Sequence, residues 1–169
     1  MLTGNPAFDI LYKNEEPVKR VCSMKERKAM IMIACVDEKN GLMFNHRRQS
    51  RDSVVCRDIL EECGGKKLYM SAYSGRLFAE AKEAEIVVSD DIMNQAGEGD
   101  ACFIEDTPIT GFEANIHKVI LYKWNRRYPA DQYFPLDLSD GTWELRQTGD
   151  FKGSSHEKIT KEVYERGKG

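Results

Sequence analysis

The chain has few of the residues that build metal centres. Its three histidines are scattered, and its five cysteines show no zinc-binding spacing. His156-Glu157 is not followed by the second histidine of a zinc-protease motif, and no His-x-His-x-Asp-His cluster of the metallo-β-lactamase type occurs. These absences argue against the common zinc hydrolases, and we expect no bound metal.

Long apolar runs, a secretory leader and an excess of basic charge are also lacking. No run reaches the length needed to span a bilayer, and the N-terminus does not show the charged-then-apolar pattern of a signal peptide. Cys35 and Cys102 lie within apolar runs, which is typical of free thiols in a reducing compartment. The net charge of −3 argues against nucleic-acid binding through the overall field. We therefore expect a cytoplasmic monomer or homodimer without membrane or nucleic-acid partners.

The composition is that of a soluble globular domain. Of its 169 residues, 41% are hydrophobic and 31% are charged, which is sufficient for one domain with a genuine core. Residues 1–28 show no regular period, so we expect an irregular N-terminal extension, within which Met24 (and Met30 just after it) offers an alternative start. The folded domain is predicted to comprise residues 29–169.

Apolar periodicity predicts alternating strands and helices through the first two thirds of this domain. The run from Ala29 to Val36 is typical of a strand buried on both faces. A helical pattern begins near Arg51 and stops at Gly64-Gly65. We further predict strands at 68–70, 85–89 and 101–104, short helices at 74–82 and 109–115, and a loop at 90–100. This order of strands and helices favours a largely parallel α/β sheet in a three-layer sandwich.

The last third of the chain has a different pattern. Strand-like segments occur at 118–124, 142–146 and 158–165, with no helical pattern between them. A polar, glycine-containing loop at 149–157 separates the last two segments. The chain is therefore predicted to end in an antiparallel hairpin added to the parallel sheet.

The segment from Asn40 to Asp52 is a candidate functional loop. It is too long for a tight turn, and it joins the first strand to the first helix, a position where binding and catalytic groups often lie. Guanidinium groups bind carboxylates and phosphates through paired hydrogen bonds. Arg47, Arg48 and Gln49 are therefore predicted to contact a ligand or partner, whereas Arg57 in the following helix is better explained by a solvated face.

Taken in order, these segments resemble dihydrofolate reductase. Asp37 to Gly41 is similar to the start of that family's mobile active-site loop, and the spacing from Gly41 to Asp52 is close to the family's spacing from loop glycine to active-site carboxylate. The resemblance is collinear over about residues 29–166, and no single motif decides it. The other similar segments are Leu68 to Phe78, Ile86 to Ser89, Val119 to Tyr122, Asp131 to Pro135, Trp143, Ser155-His156 and Lys161 to Arg166.

The resemblance implies a dihydrofolate-reductase-like fold and NADPH-dependent reduction of a pterin or related heterocycle. Asp52 would assist protonation of the substrate, supported by a hydroxyl at Tyr122. The alternatives are an ordinary acid at a helix start for Asp52 and core packing for Tyr122. Phe44, Arg47, Arg48 and Gln49 would contact the substrate.

Ser74, Ser89 and Thr107 occupy the positions implied for cofactor contacts, although Ser74 also fits a plain helix N-cap. At these positions the chain departs from the family. Where the family has a glycine pair after the fourth strand, this chain has Glu105-Asp106, and Asp90-Asp91 follows Ser89. These carboxylates remove the close backbone approach and add negative charge against phosphates. The loop before Asp52 also lacks the family's tryptophan and Leu-Pro.

Three functions follow from these observations. The first is an NADPH-dependent reductase of a heterocyclic substrate. The second is a non-catalytic protein that uses the arginine-rich loop Arg47 to Asp52 to bind an anionic ligand or partner. The third is a hydrolytic or transfer enzyme that uses Arg47, Arg48 and Asp52, for which the sequence shows no nucleophile–base pair.

Overall fold

The computed structural model describes residues 29–81 and 84–167. The predicted extension, residues 1–28, lies outside the described residues. The described strands are β1 Met30–Val36, β2 Gly41–Phe44, β3 Arg47–Arg48, β4 Leu68–Met70, β5 Ile86–Val88, β6 Ala101–Phe103, β7 Ile116–Lys123, β8 Gln132–Tyr133, β9 Trp143–Phe151 and β10 Ile159–Arg166. The α-helices are α1 Ser53–Cys63, α2 Ala72–Gly75 and α3 Ile92–Gln95, and short 3₁₀ turns occupy Arg76–Phe78 and Glu113–Asn115.

A seven-stranded sheet in the order β9-β10-β7-β1-β6-β4-β5 forms the centre of the fold. The five strands from β7 to β5 are parallel, whereas β10 pairs antiparallel with both β7 and β9. The predicted α/β fold, a mostly parallel sheet finished by an antiparallel C-terminal hairpin, is confirmed. The hairpin strand β9 extends to Phe151, beyond the predicted end of that strand, so the connecting loop is 152–158 rather than 149–157.

Strand β1 lies in the middle of the sheet because its residues are apolar on both faces. Ile33 faces the layer that contains α1, where it packs with Ile59, Phe103 and Ile120. Ala34 faces the opposite layer, and both residues are fully buried. The continuous apolar run therefore becomes a strand covered on both sides, as the sequence predicts.

Helix α1 covers one face of the sheet. Its buried residues Val55, Ile59 and Cys63 recur at intervals of four, which places them on one side of the helix. Asp52 is the N-cap residue, and Gly64 ends the helix in the left-handed conformation with a φ of 53°. The helix thus holds the residues of its first turn at the carboxyl edge of β1 and β7.

The opposite face carries a small three-stranded sheet in the order β3-β2-β8, which the sequence analysis did not predict. The segment 41–48, predicted as loop, is a tight hairpin whose turn residues Asn45 and His46 have φ of 53° and 62°. Such positive φ values favour the two-residue hairpin turn, but His46 occupies the place where glycine usually signals it. Leu42 and Met43 are buried by the hairpin, which anchors it to the core.

Three segments differ from the predictions, one predicted as a loop and two predicted as helices. The segment 90–100 contains α3, because Ile92 and Met93 are buried against the sheet. The helix predicted at 74–82 is instead α2 followed by a 3₁₀ turn, and the helix predicted at 109–115 is reduced to the turn Glu113–Asn115. Each of these segments is too short for periodicity to resolve its bounds. Within the described ranges, no helix is long and apolar enough to cross a membrane.

Ile59 provides a test of the α1 interface. Its side chain is fully buried between the helix and the sheet. We expect Ile59→Ala to lower the free energy of unfolding by about 2–5 kcal/mol, because it leaves a cavity among well-packed neighbours. Arg57→Ala, on the exposed side of the same helix, should change it by no more than about 0.5 kcal/mol. Urea denaturation of both variants measures this difference, and equal losses would contradict the packing described here.

Candidate functional site

Asp52 lies at the N-terminus of α1, and its two carboxylate oxygens accept hydrogen bonds from α1 and from a distant loop. One carboxylate oxygen, Oδ1, accepts from the backbone N–H groups of Val54 and Val55 at 2.9 and 3.1 Å. The other, Oδ2, accepts from the backbone N–H and the hydroxyl of Ser155, both at 2.7 Å. Asp52 therefore joins the start of α1 to the loop between β9 and β10.

That loop fits closely around the carboxylate. A Cβ atom added at Gly153 would overlap Asp52 Oδ2, and it would lie 2.5 Å from the Ile159 Cδ1. Ser154 contributes a second link, since its hydroxyl accepts the N–H of Ser53 at 2.9 Å. Glycine at position 153 is thus required by the approach of the loop to Asp52.

These donors determine the charge state of Asp52. Burial works to raise its pKa, but hydrogen bonds from Ser155, Ser154 and Val55 outweigh burial and lower the pKa to about 2. Asp52 is therefore a stable anion at neutral pH with its oxygens already engaged. This arrangement suits an N-cap and a loop anchor.

The hydrogen-bond chain continues from Ser155 to His156 and Tyr128. Ser155 Oγ lies 2.6 Å from His156 Nδ1, and His156 Nε2 lies 2.7 Å from the Tyr128 hydroxyl. Because ionised Asp52 can only accept, the Ser155 hydroxyl donates to Asp52, so His156 Nδ1–H must donate to Ser155. This polarity is opposite to that of a catalytic triad, in which histidine accepts the serine proton. These hydrogen bonds therefore have a structural role, and Ser155 and His156 do not form a nucleophile–base pair.

Tyr122 does not contact Asp52. It is fully buried on β7, and its hydroxyl donates to Asp58 at 2.6 Å, in the second turn of α1. Lys161 on β10 pairs with Asp58 at 2.7 Å and also with Glu62. The hydroxyl that supports Asp52 is instead that of Ser155, which the sequence analysis missed because Ser155 lies 103 residues away in the chain. The hydrogen bond from Tyr122 to Asp58 thus links β7 to the middle of α1.

Arg48 and Glu105 form a paired, largely buried interaction in the centre of the predicted site. Arg48 Nε and Nη2 donate to the two oxygens of Glu105 at 2.9 and 3.0 Å. The guanidinium carbon also lies 4.3 Å from the centre of the Tyr73 ring. Burial works to lower the pKa of Arg48, but the hydrogen bonds and charge of Glu105 prevail and raise it. Arg48 was predicted to contact a ligand or partner, and in this structure its guanidinium group is paired with Glu105 of the same chain.

The residues predicted to contact a cofactor lie at the carboxyl ends of β4, β5 and β6. Ser74 is fully buried, and its hydroxyl donates to Glu105 at 2.8 Å. It is not the N-cap of α2, a position taken by Ser71. Ser89 accepts the N–H of Asp91 at 3.0 Å, and Thr107 is half-buried in the loop after β6. The Ser74 hydroxyl is therefore paired with Glu105 in this structure, whereas Ser89 and Thr107 have no contact with that carboxylate among the hydrogen bonds of the described residues.

The other residues predicted to contact a ligand lie in different environments. Phe44 and Arg47 lie on the exposed side of the β2–β3 hairpin. Gln49 turns inward, where its amide nitrogen donates to Asp37 at 3.0 Å and its buried Oε1 has no hydrogen-bond partner among the described residues. The predicted loop therefore does not act as one surface: Arg48 and Gln49 support the interior, whereas Phe44 and Arg47 face solvent.

The space between the loop, α1 and the sheet is small. This inner cavity has a volume of about 10 Å³, close to that of one water molecule. Its wall includes Arg48, Glu105, Cys35 and Cys56. Burial raises the pKa of Cys56 to about 11 and also raises that of Cys35, so both thiols remain protonated at neutral pH. Among residues 29–81 and 84–167, no group of three metal-ligating side chains occurs.

A much larger outer cleft opens on the solvent side of α1. Its volume is about 620 Å³, within the range of small-molecule sites. Three exposed arginines lie around it, Arg51, Arg57 and Arg76, and none has an ion-pair partner in the described part of the chain. Leu60, Leu77 and Phe78 contribute apolar surface to the same cleft. Arg57, predicted as a plain solvated residue, thus lines the cleft, as does Arg76, which the sequence analysis did not single out.

Asp52 gives this site a characteristic pH dependence. Because its pKa is lower in the folded protein than the ordinary value of about 3.9, it contributes about 2 kcal/mol of stability above that value. We expect this contribution to disappear as the pH falls from about 5 to about 2. Urea denaturation across that range should show a flatter profile for Asp52→Asn than for the wild type. The control is Asp90→Asn, at an exposed position. If the stability of Asp52→Asn fell with pH as steeply as that of the wild type, Asp52 would not be the source of this pH dependence.

No protein-family model matches the chain, and no curated protein sequence does. Among solved structures, the chain is similar to dihydrofolate reductase from Enterococcus faecalis complexed with NADP(H) and RAB-propyl, with 12% sequence identity and a TM-score of 0.58. The match covers 84% of this chain and 98% of that one. At this identity the similarity concerns the fold, and it confirms the resemblance seen in the sequence. The chain has the dihydrofolate reductase fold.

Proposed function

We propose that the chain is a non-catalytic binding protein with the dihydrofolate reductase fold, and that it binds a small anionic ligand in the outer cleft. The observation that carries this proposal is the set of three unpaired arginines around a volume of about 620 Å³. Guanidinium groups that lack a carboxylate partner are suited to a carboxylate or phosphate of a ligand. The ligand would be a molecule with an apolar part and at least one anionic group.

The charge and surface of the cleft support this ligand class. Two carboxylates, Asp52 and Glu80, line the cleft together with the three arginines, so the charged side chains of its described lining sum to 3 − 2 = +1. The cleft is therefore locally basic in a protein whose net charge is −3. The apolar side chains of Leu60, Leu77 and Phe78 provide a surface for a ring or an aliphatic segment.

The interior supports binding rather than reduction. Reduction of a heterocycle would need a proton donor and room for two ligands side by side. Asp52 is a weak base with all its oxygens engaged, and the inner cavity holds about 10 Å³. The four described cysteines are free thiols, which supports a location in a reducing compartment such as the cytoplasm.

Paired arginine variants test the outer cleft. We expect Arg57→Ala with Arg76→Ala to weaken binding of folate, a dicarboxylate with an aromatic ring system, by at least tenfold, because two of the three cations are removed. Isothermal titration calorimetry at fixed ionic strength measures the change. The control is Arg126→Ala with Arg127→Ala, which removes the same charge from exposed positions outside the cleft.

Pyrophosphate and citrate extend the same titration to smaller anions. If the wild type binds none of these three compounds, the proposal fails. Equal loss in the cleft and control variants would show a general charge effect, and it would also contradict the cleft as the binding site. Circular dichroism confirms that the variants remain folded.

A second candidate function is NADPH-dependent reduction of a pterin or related heterocycle. The observation that favours it is the similarity to a dihydrofolate reductase solved with NADP(H). In this reading Asp52 assists protonation, and Ser74, Ser89 and Thr107 lie on the cofactor side. Such a reaction would require Glu105 to leave its place beside Ser74.

NADPH oxidation separates the two candidates. With NADPH and dihydrofolate present, we expect no decrease in NADPH absorbance above the background without protein, because the cofactor side is filled by Glu105. Turnover that is lost in Asp52→Asn and retained in Arg47→Ala would overturn the binding-protein proposal and establish the reductase.

A further inference from the structure

The contacts of Glu105 point to a second binding site, separate from the outer cleft and beyond the function proposed above. We propose that Arg48 and Ser74, with Tyr73 as support, form an inner anion-binding site. Glu105 fills this site in the present structure, and a carboxylate or phosphate ligand competes with Glu105 for it.

The donors around Glu105 have the geometry of a complete carboxylate site. Arg48 Nε donates to Oε2 at 2.9 Å, and Arg48 Nη2 donates to Oε1 at 3.0 Å, which is the paired arrangement that guanidinium groups make with carboxylates and phosphates. The fully buried hydroxyl of Ser74 donates to Oε1 at 2.8 Å. Three donors from two different segments thus converge on a single anionic group.

The donors are held in place by contacts that do not involve Glu105. The backbone N–H of Arg48 donates to the Tyr73 hydroxyl at 2.8 Å, and its Nη2 also reaches the Tyr73 carbonyl at 3.3 Å. The guanidinium group stacks over the Tyr73 ring. Ser74 is fixed in α2, next to Tyr73. A site whose donors are preorganised in this way keeps its shape when one anion replaces another.

Glu105 itself is held mainly by these donors. It lies two residues beyond the end of β6 at Phe103, in a bend rather than in the strand. The hydrogen bonds of its carboxylate come from Arg48 and Ser74. A ligand anion that supplies the same acceptors would therefore release Glu105 without leaving the arginine unpaired.

The inner site adjoins the outer cleft. Arg48 and Glu105 line the inner cavity, and that cavity shares four lining residues with the outer cleft, namely Arg51, Asp52, Cys56 and Leu77. The two spaces are thus adjacent along α1. Outward movement of the Glu105 side chain would enlarge the inner cavity beside the guanidinium group of Arg48.

Removal of Glu105 tests the inner site, with pyrophosphate as the probe. We expect Glu105→Ala to bind pyrophosphate at least tenfold more tightly than the wild type in calorimetry at fixed ionic strength, because the internal competitor is gone. Its melting temperature should be lower than that of the wild type in buffer, and pyrophosphate should raise it by more. Adding Arg48→Ala to Glu105→Ala should abolish the gain, whereas adding Arg57→Ala with Arg76→Ala should preserve it.

Glu105→Gln provides a second variant in case Glu105→Ala does not fold. It keeps the shape and one acceptor but removes the charge, and we expect an affinity gain of at least threefold that again depends on Arg48. If neither folded variant gains affinity, or if the gain persists without Arg48, the inner site is refuted. The outer cleft has an independent readout, since loss of folate binding in Arg57→Ala with Arg76→Ala is measured with Glu105 intact.

Discussion

The carboxylate of Asp52 joins the two ends of the domain, and the shape of the candidate site depends on that junction. Its oxygens cap the first turn of α1 and accept from the backbone and hydroxyl of Ser155 in the last hairpin loop. The loop in turn places Ser154 at the wall of the outer cleft. Without a charged acceptor at position 52, only the hydrogen bond from the Ser53 N–H to the Ser154 hydroxyl, among those described here, would join the start of α1 to this wall of the cleft.

Two groups of hydrogen-bond donors, each arranged to bind an anion, are paired with carboxylates of the protein itself. The donors of the 153–155 loop bind Asp52, and the donors of Arg48 and Ser74 bind Glu105. In both places a buried polar group would be costly if it had no partner. The cations that remain unpaired around the outer cleft, Arg51, Arg57 and Arg76, are solvent-exposed. Internal pairing therefore separates a closed interior from an open, basic surface.

The sheet was predictable from the sequence because its signal is local and strong. The run from Met30 to Val36 is apolar at every position, and the pattern of Val55 and Ile59 defines one face of α1. The β2–β3 hairpin was missed because its turn uses Asn45 and His46 at positive φ in place of glycine. Short α3 was missed because one helical turn carries too little periodicity.

The site was less predictable than the fold because its contacts join distant parts of the chain. Asp52 was identified by its position at a helix start, but its partner Ser155 cannot be inferred from spacing. Glu105 was noted as a departure from a glycine-bearing family, yet nothing in the sequence indicates that it would pair with Arg48. The catalytic and ligand-contact roles suggested for Asp52, Tyr122 and the loop residues stay predictions.

The link between Asp52 and Ser155 also has a consequence for the order in which the domain can fold during synthesis. The two residues are 103 positions apart, and the loop that carries Ser155 exists only when β9 and β10 pair. On the ribosome, α1 emerges long before this partner, so Oδ2 of Asp52 lacks the donors of Ser155 while Oδ1 already caps the helix. Contacts of such high sequence separation form late and slow the folding of a domain. The link between Asp52 and Ser155 therefore forms only after the last strand has been made, although Asp52 Oδ1 can cap α1 before that.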